Sequence, residues 1–162
     1  EEVLRLGSGQ GRLATCTLRY GNVYGPRQNP KGEAGVVAIF ATLLLRGERP
    51  TIFGDGSKTR DYVFVEDVVR ANLLAMEEAP PGACYNIGTG KPTADQRIFD
   101  LVRGAVGAHL TPIYGSKRPG EVDHIRLDCR RAERELGWRP QVLLEEGIER
   151  AVAFYRGRTG HK

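Results

Sequence analysis

Short alternating segments and longer amphipathic segments follow one another along this chain, and that order constrains the fold more than any other feature. Residues 13–20, LATCTLRY, alternate with a period of two, which is typical of a strand. The segment from Val36 to Leu44 places apolar side chains at helical spacing, and Gly47 ends that helix. Further strands are predicted at 50–53, 62–65, 83–88 and 111–114. Strands that alternate with helices indicate an α/β domain.

The remaining helices are predicted from apolar periodicity and from residues that begin or end helices. Thr93 and Gln96 have the spacing of a capping box, and Asp128 is expected to cap a short helix that ends at Gly137. A final helix is expected from residue 144. An earlier helix ends at the Pro80-Pro81-Gly82 turn. Its apolar face is predicted to consist of Val65, Val68, Val69, Leu73 and Met76.

Composition and charge narrow the class of protein. The 162 residues are 40% hydrophobic and 27% charged, as in ordinary globular domains. The net charge of +4 fits a solvated surface or an anionic ligand. The sequence contains no Lys/Arg run with interleaved aromatic residues, so nucleic-acid binding is not favoured. Cys16, Cys84 and Cys129 lack metal-ligand spacing and are expected to be reduced, which indicates a cytoplasmic protein. No segment has the ~20 apolar residues of a membrane helix, so no membrane partner is expected.

The first candidate site follows the strand that ends at Tyr20, in the sequence LRYGNVYGPRQ at 18–28. Ligands in α/β sheets lie beyond the carboxyl ends of strands, which is where this Gly- and Pro-rich loop begins. Asn22 offers donors and an acceptor there, and Tyr20 offers a ring and a hydroxyl. The structural alternative is an Asx-type turn at Asn22 with Tyr20 in the core.

The second candidate site is the loop in IFGDGSKTRDYV at 52–63. Gly54 and Gly56 permit positive φ and close backbone approach to a ligand. Arg60 lies where the loop returns to a strand, and a planar guanidinium suits a phosphate because it can donate two parallel hydrogen bonds. The alternative is a structural arrangement of Arg60 and Asp61 at the surface.

The third candidate site is KRPGE at 117–121, which places Arg118 and Glu121 three residues apart on a stiff Pro-Gly turn. A cation suits a phosphate, and a nearby carboxylate suits the diol of a ribose. The alternative is a solvated charged loop without a ligand.

The three motifs together resemble the extended short-chain dehydrogenase/reductase family, and within it the NAD-dependent NDP-sugar epimerases of the UDP-glucose 4-epimerase type. The likeness covers essentially the whole chain, because YNIGTG at 85–90 and AERELGWRP at 132–140 also occur in the family's order and spacing. The family joins an NAD-binding Rossmann domain to a smaller C-terminal domain that holds the nucleotide sugar. The resemblance implies that residues 1–162 form a single unit: the substrate-binding C-terminal domain plus the last elements of a Rossmann domain, with an incomplete parallel sheet.

The resemblance also implies a role for individual residues. Arg60 and Arg118 match two arginines that contact the diphosphate of a UDP-sugar or another NDP-sugar, and Glu121 matches a carboxylate on the ribose hydroxyls. Tyr20 matches a residue beside the nicotinamide of NAD. The other substrate contacts that it implies are Asn22 at the phosphates, Val36 at the diphosphate, and Ile52 and Phe53 at the nucleobase.

Two features of the family are missing from these 162 residues. Neither a Gly-rich NAD fingerprint before a helix nor a Tyr-x-x-x-Lys pair occurs, and Glu1 to Leu6 resemble the continuation of the helix that carries that pair. We therefore expect no catalytic residue in this chain, no NAD binding by it alone, no turnover, and UDP-sugar affinity in the high micromolar range or weaker. Asp95 departs from the apolar residue that the family often has near the base or ribose.

Other functions stay open at this point. Dehydratases, decarboxylases and reductases of the same family share much of this C-terminal pattern. A folded remnant that binds nucleotides or partner proteins without catalysis is the alternative outside enzymes, and nucleic-acid binding is suggested by net charge alone. Members of the family often form homodimers through helices of the Rossmann domain. A homodimer is therefore also expected for an intact relative of this chain.

Overall fold

The computed structural model describes residues 1–9, 14–31 and 35–159, and its fold class is α/β, as predicted. The helices are α1 (Glu2–Gly9), α2 (Val36–Leu45), α3 (Val65–Glu78), α4 (Asp95–Val106), α5 (Arg130–Leu136) and α6 (Leu144–Thr159). The strands are β1 (Cys16–Tyr20), β2 (Asn22–Tyr24), β3 (Thr51–Phe53), β4 (Thr59–Phe64), β5 (Ala83–Ile87), β6 (Pro92–Ala94) and β7 (Ile113–Gly115). Leu13, which the sequence assigned to the first strand, lies outside the described residues.

The strands form three small groups, and most of their pairs are parallel. β1 pairs with β5 and β3 pairs with β7, both in parallel. β4 lies between β2, to which it is parallel, and β6, to which it is antiparallel. Within the described residues β1 has a strand partner on one side only. The expectation of an incomplete parallel sheet is therefore confirmed, with one antiparallel strand that the sequence did not predict.

Helices α2, α4 and α6 pack against one another over the first hydrophobic core. Phe40 of α2 and Phe99 of α4 meet edge to face with ring centroids 5.9 Å apart, a geometry that aromatic quadrupoles favour. Ile98 and Val102 of α4 and Ile148 of α6 are also buried there. The predicted helices at 36–44 and from residue 144 are thereby confirmed, although the buried residues of α2 include Val37, Ala38 and Ala41, which lie outside the apolar spacing that predicted it.

A second hydrophobic core lies under the β1–β5 pair and joins α3 to α5. Trp138, just after α5, is 2% exposed, and its indole Nε1 donates to the Asp67 carbonyl oxygen over 2.9 Å. Gly137 closes α5 with a left-handed φ of 61°, which confirms the predicted helix end. The Asp128 carboxylate accepts a hydrogen bond from the Arg130 amide over 3.1 Å, although the cap position itself is Cys129.

The Asp61 carboxylate joins β4 to the loop after β5 and to the segment before α5. It is fully buried and accepts hydrogen bonds from the amides of Thr89, Gly90 and Leu127 over 2.7 to 3.1 Å. Gly21 approaches so closely that a Cβ there would lie 2.5 Å from the Asp61 carbonyl oxygen, so only glycine fits. Asp61 is therefore a buried structural acceptor, and the alternative of a surface arrangement with Arg60 is wrong.

Two strands lie where the sequence predicted other structure. β2 lies in the segment that was interpreted as a loop, because its three residues pair with the buried strand β4. Thr93 lies in β6, and Ala94 holds the N-cap position of α4, so the capping box of Thr93 and Gln96 is wrong. The first amides of α4 are satisfied instead by the chain itself, because Asp95 N donates to Lys58 O and Gln96 N donates to Gly56 O.

The predicted apolar face of α3 is also wrong for three of its five members. Val69, Leu73 and Met76 are 52%, 53% and 84% exposed. The buried residues of α3 are instead Asp67, Val68, Ala71 and Ala75. The alanines let the helix approach the strands closely, and the amides of Gln141 and Val142 hydrogen-bond the buried Asp67 carboxylate.

Within residues 1–9, 14–31 and 35–159, no helix combines the length and apolar character needed to cross a membrane. In the same ranges, no group of His, Cys, Asp and Glu side chains has the arrangement of a metal site.

Candidate functional site

A cleft with a volume of about 520 Å³ opens between β2, the start of α2, β3 and β4. The structure brings all three sequence motifs to this cleft. The predicted substrate contacts that line it are Asn22, Val36, Ile52, Phe53, Arg60, Arg118 and Glu121. The arginines and the carboxylate therefore face one shared space, and their contacts with a ligand stay a prediction.

Strand pairing explains why distant segments meet here. β3 and β7 align Phe53 with Gly115, which carries the chain directly into the loop that holds Arg118. Further along, Thr59 N donates to Asp123 O over 2.9 Å and Ile125 N donates to Thr59 O over 3.1 Å. The segment at 117–125 is thus fixed along the first residues of β4, beside the second motif.

Arg118 lies over an aromatic ring at the mouth of the cleft. Its Cζ atom is 3.9 Å from the centroid of the Phe53 ring, within the range of a cation–π contact. Its side chain is 54% exposed, so the guanidinium keeps donors available to solvent or to an anion. Stacking on Phe53 restricts the orientation of the guanidinium, which lowers the entropy lost when it binds a ligand.

Arg60 is held by backbone oxygens. Its Nη1 atom donates to Thr59 O over 2.9 Å and to Asp123 O over 3.3 Å. Since a guanidinium carries five N–H donors, these two contacts leave others for the cleft. Arg60 is therefore a fixed cation in the cleft wall.

Lys58 is a cleft residue that the sequence analysis missed. Its side chain is only 7% exposed, and its ammonium forms an ion pair with the Glu121 carboxylate. The hydrogen bond from Lys58 holds the pKa of Glu121 below its ordinary value of 4.5. The period-two pattern contained a usable signal, because Lys58, Arg60 and Tyr62 alternate along the chain and all three line the cleft.

Asp95, the departure from the family pattern, also lines the cleft. Burial raises the pKa of its carboxyl, and a hydrogen bond from the Tyr62 hydroxyl, 3.3 Å away, opposes that rise. Burial also raises the pKa of Tyr62, so its hydroxyl stays a donor. The lining of the cleft is therefore polar at Asp95 and Tyr62.

Tyr20 lies apart from this cleft. Its ring is 44% exposed on β1, and its hydroxyl donates to Asn72 Oδ1 over 2.9 Å. It lines a second cleft of about 370 Å³, together with Leu18 and Met76. The alternative of Tyr20 as a core residue is wrong, and its predicted role beside a nicotinamide belongs to a different face from that of the seven substrate residues.

Comparison with known proteins identifies the family. The model of the NAD dependent epimerase/dehydratase family matches residues 1–88, which is more than half of the chain. The chain belongs to this family. The UDP-glucose 4-epimerase of Mycolicibacterium smegmatis is 51% identical over 85% of the chain. A solved UDP-glucose 4-epimerase from Thermotoga maritima, in complex with UDP-glucose, is 47% identical and superposes with a TM-score of 0.94 over 98% of the chain.

A second solved relative has the cofactor bound. The UDP-glucose 4-epimerase of Thermus thermophilus, in complex with NAD, is 39% identical and has a TM-score of 0.88 over 96% of the chain. The chain spans about half the length of these relatives: 44% of the M. smegmatis protein and 51% of each solved chain. The resemblance to the epimerase family is thereby confirmed, and the activity of a whole relative comes to this chain only as a proposal.

Proposed function

We propose that this chain is the nucleotide-sugar-binding portion of an NAD-dependent NDP-sugar 4-epimerase that interconverts UDP-glucose and UDP-galactose. The observation that carries the proposal is the convergence of Arg60, Arg118 and Glu121 on one cleft beside Phe53. Two cations oppose a diphosphate, one carboxylate accepts from a ribose diol, and an aromatic ring borders a base. Relatives of known structure support the same ligand class, since the T. maritima epimerase was solved with UDP-glucose.

The binding energy of such a cleft comes mainly from charged hydrogen bonds. Each arginine–diphosphate contact contributes about 1.5 to 3 kcal/mol. Asn22 and the first residues of α2, which begins at Val36, line the same cleft, and a helix N-terminus suits negatively charged oxygens. Ile52 and Phe53 would border the base. A ligand held by its UDP end leaves the sugar free to turn, which a 4-epimerase requires.

NAD supplies the hydride chemistry in the intact family member. Of the residues in this chain, Tyr20 is the one proposed to face the nicotinamide, and its fit is limited to one exposed ring whose hydroxyl is held by Asn72. The Tyr-x-x-x-Lys pair and the glycine fingerprint do not occur in these 162 residues. We expect this polypeptide alone to bind UDP, to bind NAD negligibly and to show no turnover.

The second candidate function is another reaction on the same ligand class. Dehydratases, decarboxylases and reductases of the family need the same hold on a nucleotide diphosphate, so the two arginines do not separate them from an epimerase. A non-catalytic nucleotide-binding remnant would use the same cleft. Tighter binding of UDP-glucose than of dTDP-glucose by this chain would favour a UDP-sugar epimerase, whereas tighter binding of dTDP-glucose would favour a dTDP-glucose dehydratase.

Isothermal titration calorimetry tests the binding proposal. We expect UDP to bind in the high micromolar range or weaker, with UMP weaker still because it lacks one phosphate. The variant R118A is expected to weaken UDP binding about tenfold. R103A is the matched control, because Arg103 lies on α4 over Phe99 and outside the cleft. Equal UDP affinity of R118A and R103A, or epimerase turnover by the chain alone, would contradict the proposal.

A further inference from the structure

Lys58 is unusual among the basic residues that the structure describes, because its side chain is almost completely buried. A buried ammonium is costly unless it is paired, and the pairing here is with Glu121, whose side chain is 29% exposed. The Lys58 main chain is fixed as well, since its carbonyl oxygen accepts a hydrogen bond from the Asp95 amide over 3.0 Å. The ammonium is therefore presented to Glu121 from a rigid position beside the first residue of α4.

The two oxygens of the Glu121 carboxylate have different surroundings. Oε2 receives the hydrogen bond from Lys58 Nζ. Oε1 lies 3.8 Å from Arg118 Nη1, which is longer than a hydrogen bond. Oε2 is thus bound by Lys58, while Oε1 keeps acceptor capacity on the side where Arg118 and Phe53 form the mouth of the cleft.

We infer that Lys58 is a positioning residue that orients the Glu121 carboxylate toward the ribose hydroxyls and so makes the cleft select ribonucleoside diphosphates over 2′-deoxyribonucleoside diphosphates. The inference rests on the proposed function. It assigns a residue that determines whether the binding site prefers ribose or 2′-deoxyribose in the nucleotide. It uses the pair of Lys58 and Glu121 as a unit, in which only Glu121 contacts the ligand.

Selectivity follows from how a fixed carboxylate treats a missing hydroxyl. A ribose offers two adjacent O–H donors to the carboxylate, and a 2′-deoxyribose offers one, so the fixed acceptor loses a partner. Without Lys58, the Glu121 side chain would rotate toward Arg118 or into solvent and would no longer require two donors. Lys58 therefore increases the difference in affinity between the two sugars more than it increases either affinity.

Calorimetric titration of the 162-residue chain with UDP and with 2′-deoxy-UDP tests this inference, because the two ligands share base and diphosphate. We expect the chain to bind UDP about five- to tenfold more tightly than 2′-deoxy-UDP. In K58M the ratio should fall to about twofold or less. K91M is the matched control, since Lys91 is an exposed lysine outside the cleft, and it should keep the ratio of the unmodified chain.

Two further variants separate positioning from other roles. E121Q should lower the ratio to the same level as K58M, and the double variant K58M/E121Q should lower it no further. If K58M does not melt cooperatively, K58Q carries the test, because its amide fills similar space without the charge. Equal weakening of both ligands in K58M would overturn the inference and assign Lys58 to the diphosphate. Absence of UDP binding by the unmodified chain would instead overturn the proposed function.

Discussion

The cleft side of the molecule and the open face of β1 and α3 differ in how completely their apolar side chains are buried. Around the cleft, α2, α4 and α6 bury one another's apolar faces, and the buried lysine is paired with a carboxylate. On the open face, Leu73 and Met76 of α3 are exposed beside the half-paired strand β1. The difference teaches that apolar periodicity predicts a helix but does not predict which of its faces the described chain covers.

The largest expected effect concerns the cleft-side core. Phe99 is fully buried and meets Phe40 edge to face. F99A should lower the free energy of unfolding by about 3 to 5 kcal/mol, because it removes that contact and leaves a cavity between α2 and α4. Urea denaturation followed by circular dichroism measures it. A loss below about 1 kcal/mol would show that this core is loosely packed and would remove the contrast with the open face.

Asp61 gives the next effect, because its buried carboxylate holds β4, the loop after β5 and the segment before α5 together. In D61N, one carboxylate oxygen becomes an NH₂ group that faces the amide donors of Thr89, Gly90 or Leu127. The free energy of unfolding should fall by about 2 to 3 kcal/mol in the same denaturation assay. D100N is the control, since Asp100 forms an exposed ion pair with Arg103 on α4 and should change stability by about 0.5 kcal/mol or less. Equal effects of the two variants would contradict the structural role of Asp61.

The pH dependence of stability tests the ion pair of Lys58 and Glu121 on the cleft side. Lys58 lowers the pKa of Glu121 below 4.5, and the nearby charges of Arg118 and Arg60 act in the same direction. A carboxyl with a lowered folded-state pKa stabilises the fold above its unfolded pKa, and that contribution is lost as the pH falls through the folded value. The melting temperature of the unmodified chain minus that of K58M should therefore decrease between about pH 6 and pH 3. A difference that is independent of pH would refute the coupling.

The smallest effect is expected on the open face. Leu73 is 53% exposed on α3, so L73A removes little buried apolar surface. The free energy of unfolding should change by about 0.5 kcal/mol or less, as at most surface positions. A loss comparable with that of F99A in the same denaturation series would show that Leu73 is covered in solution and would break the comparison.

Much of the architecture could be predicted from the sequence. The helix bounds near Val36, Leu144 and Gly137 and the strands at 51–53 and 83–87 follow from apolar spacing and from glycine at helix ends. β2 could not be predicted, because a three-residue strand is stabilised by its neighbour β4 rather than by its own pattern. The N-terminus of α4 could not be predicted either, since its amides bond carbonyl oxygens of a loop that is distant in sequence.

The residues of the candidate site also divide into those that the sequence predicted and those that it did not. Arg60, Arg118 and Glu121 could be selected from residue type and motif order, and the structure places them in one cleft. Lys58 was missed because a lysine in a glycine-rich loop is usually solvated, and only the fold reveals its burial against Glu121. Tyr20 was predicted to lie beside the nicotinamide, which stays a prediction, and the sequence pattern did not show that Tyr20 lines a different cleft from the substrate residues.

An NMR titration of the ¹⁵N-labelled chain with UDP tests the central claim most directly. We expect the amide shifts that change with UDP to belong to the cleft, at residues such as Asn22, Phe53, Arg60 and Glu121, while those of Leu73 and Met76 stay unchanged. UDP-dependent shifts confined to β1 and α3, or no shifts at millimolar UDP, would contradict it.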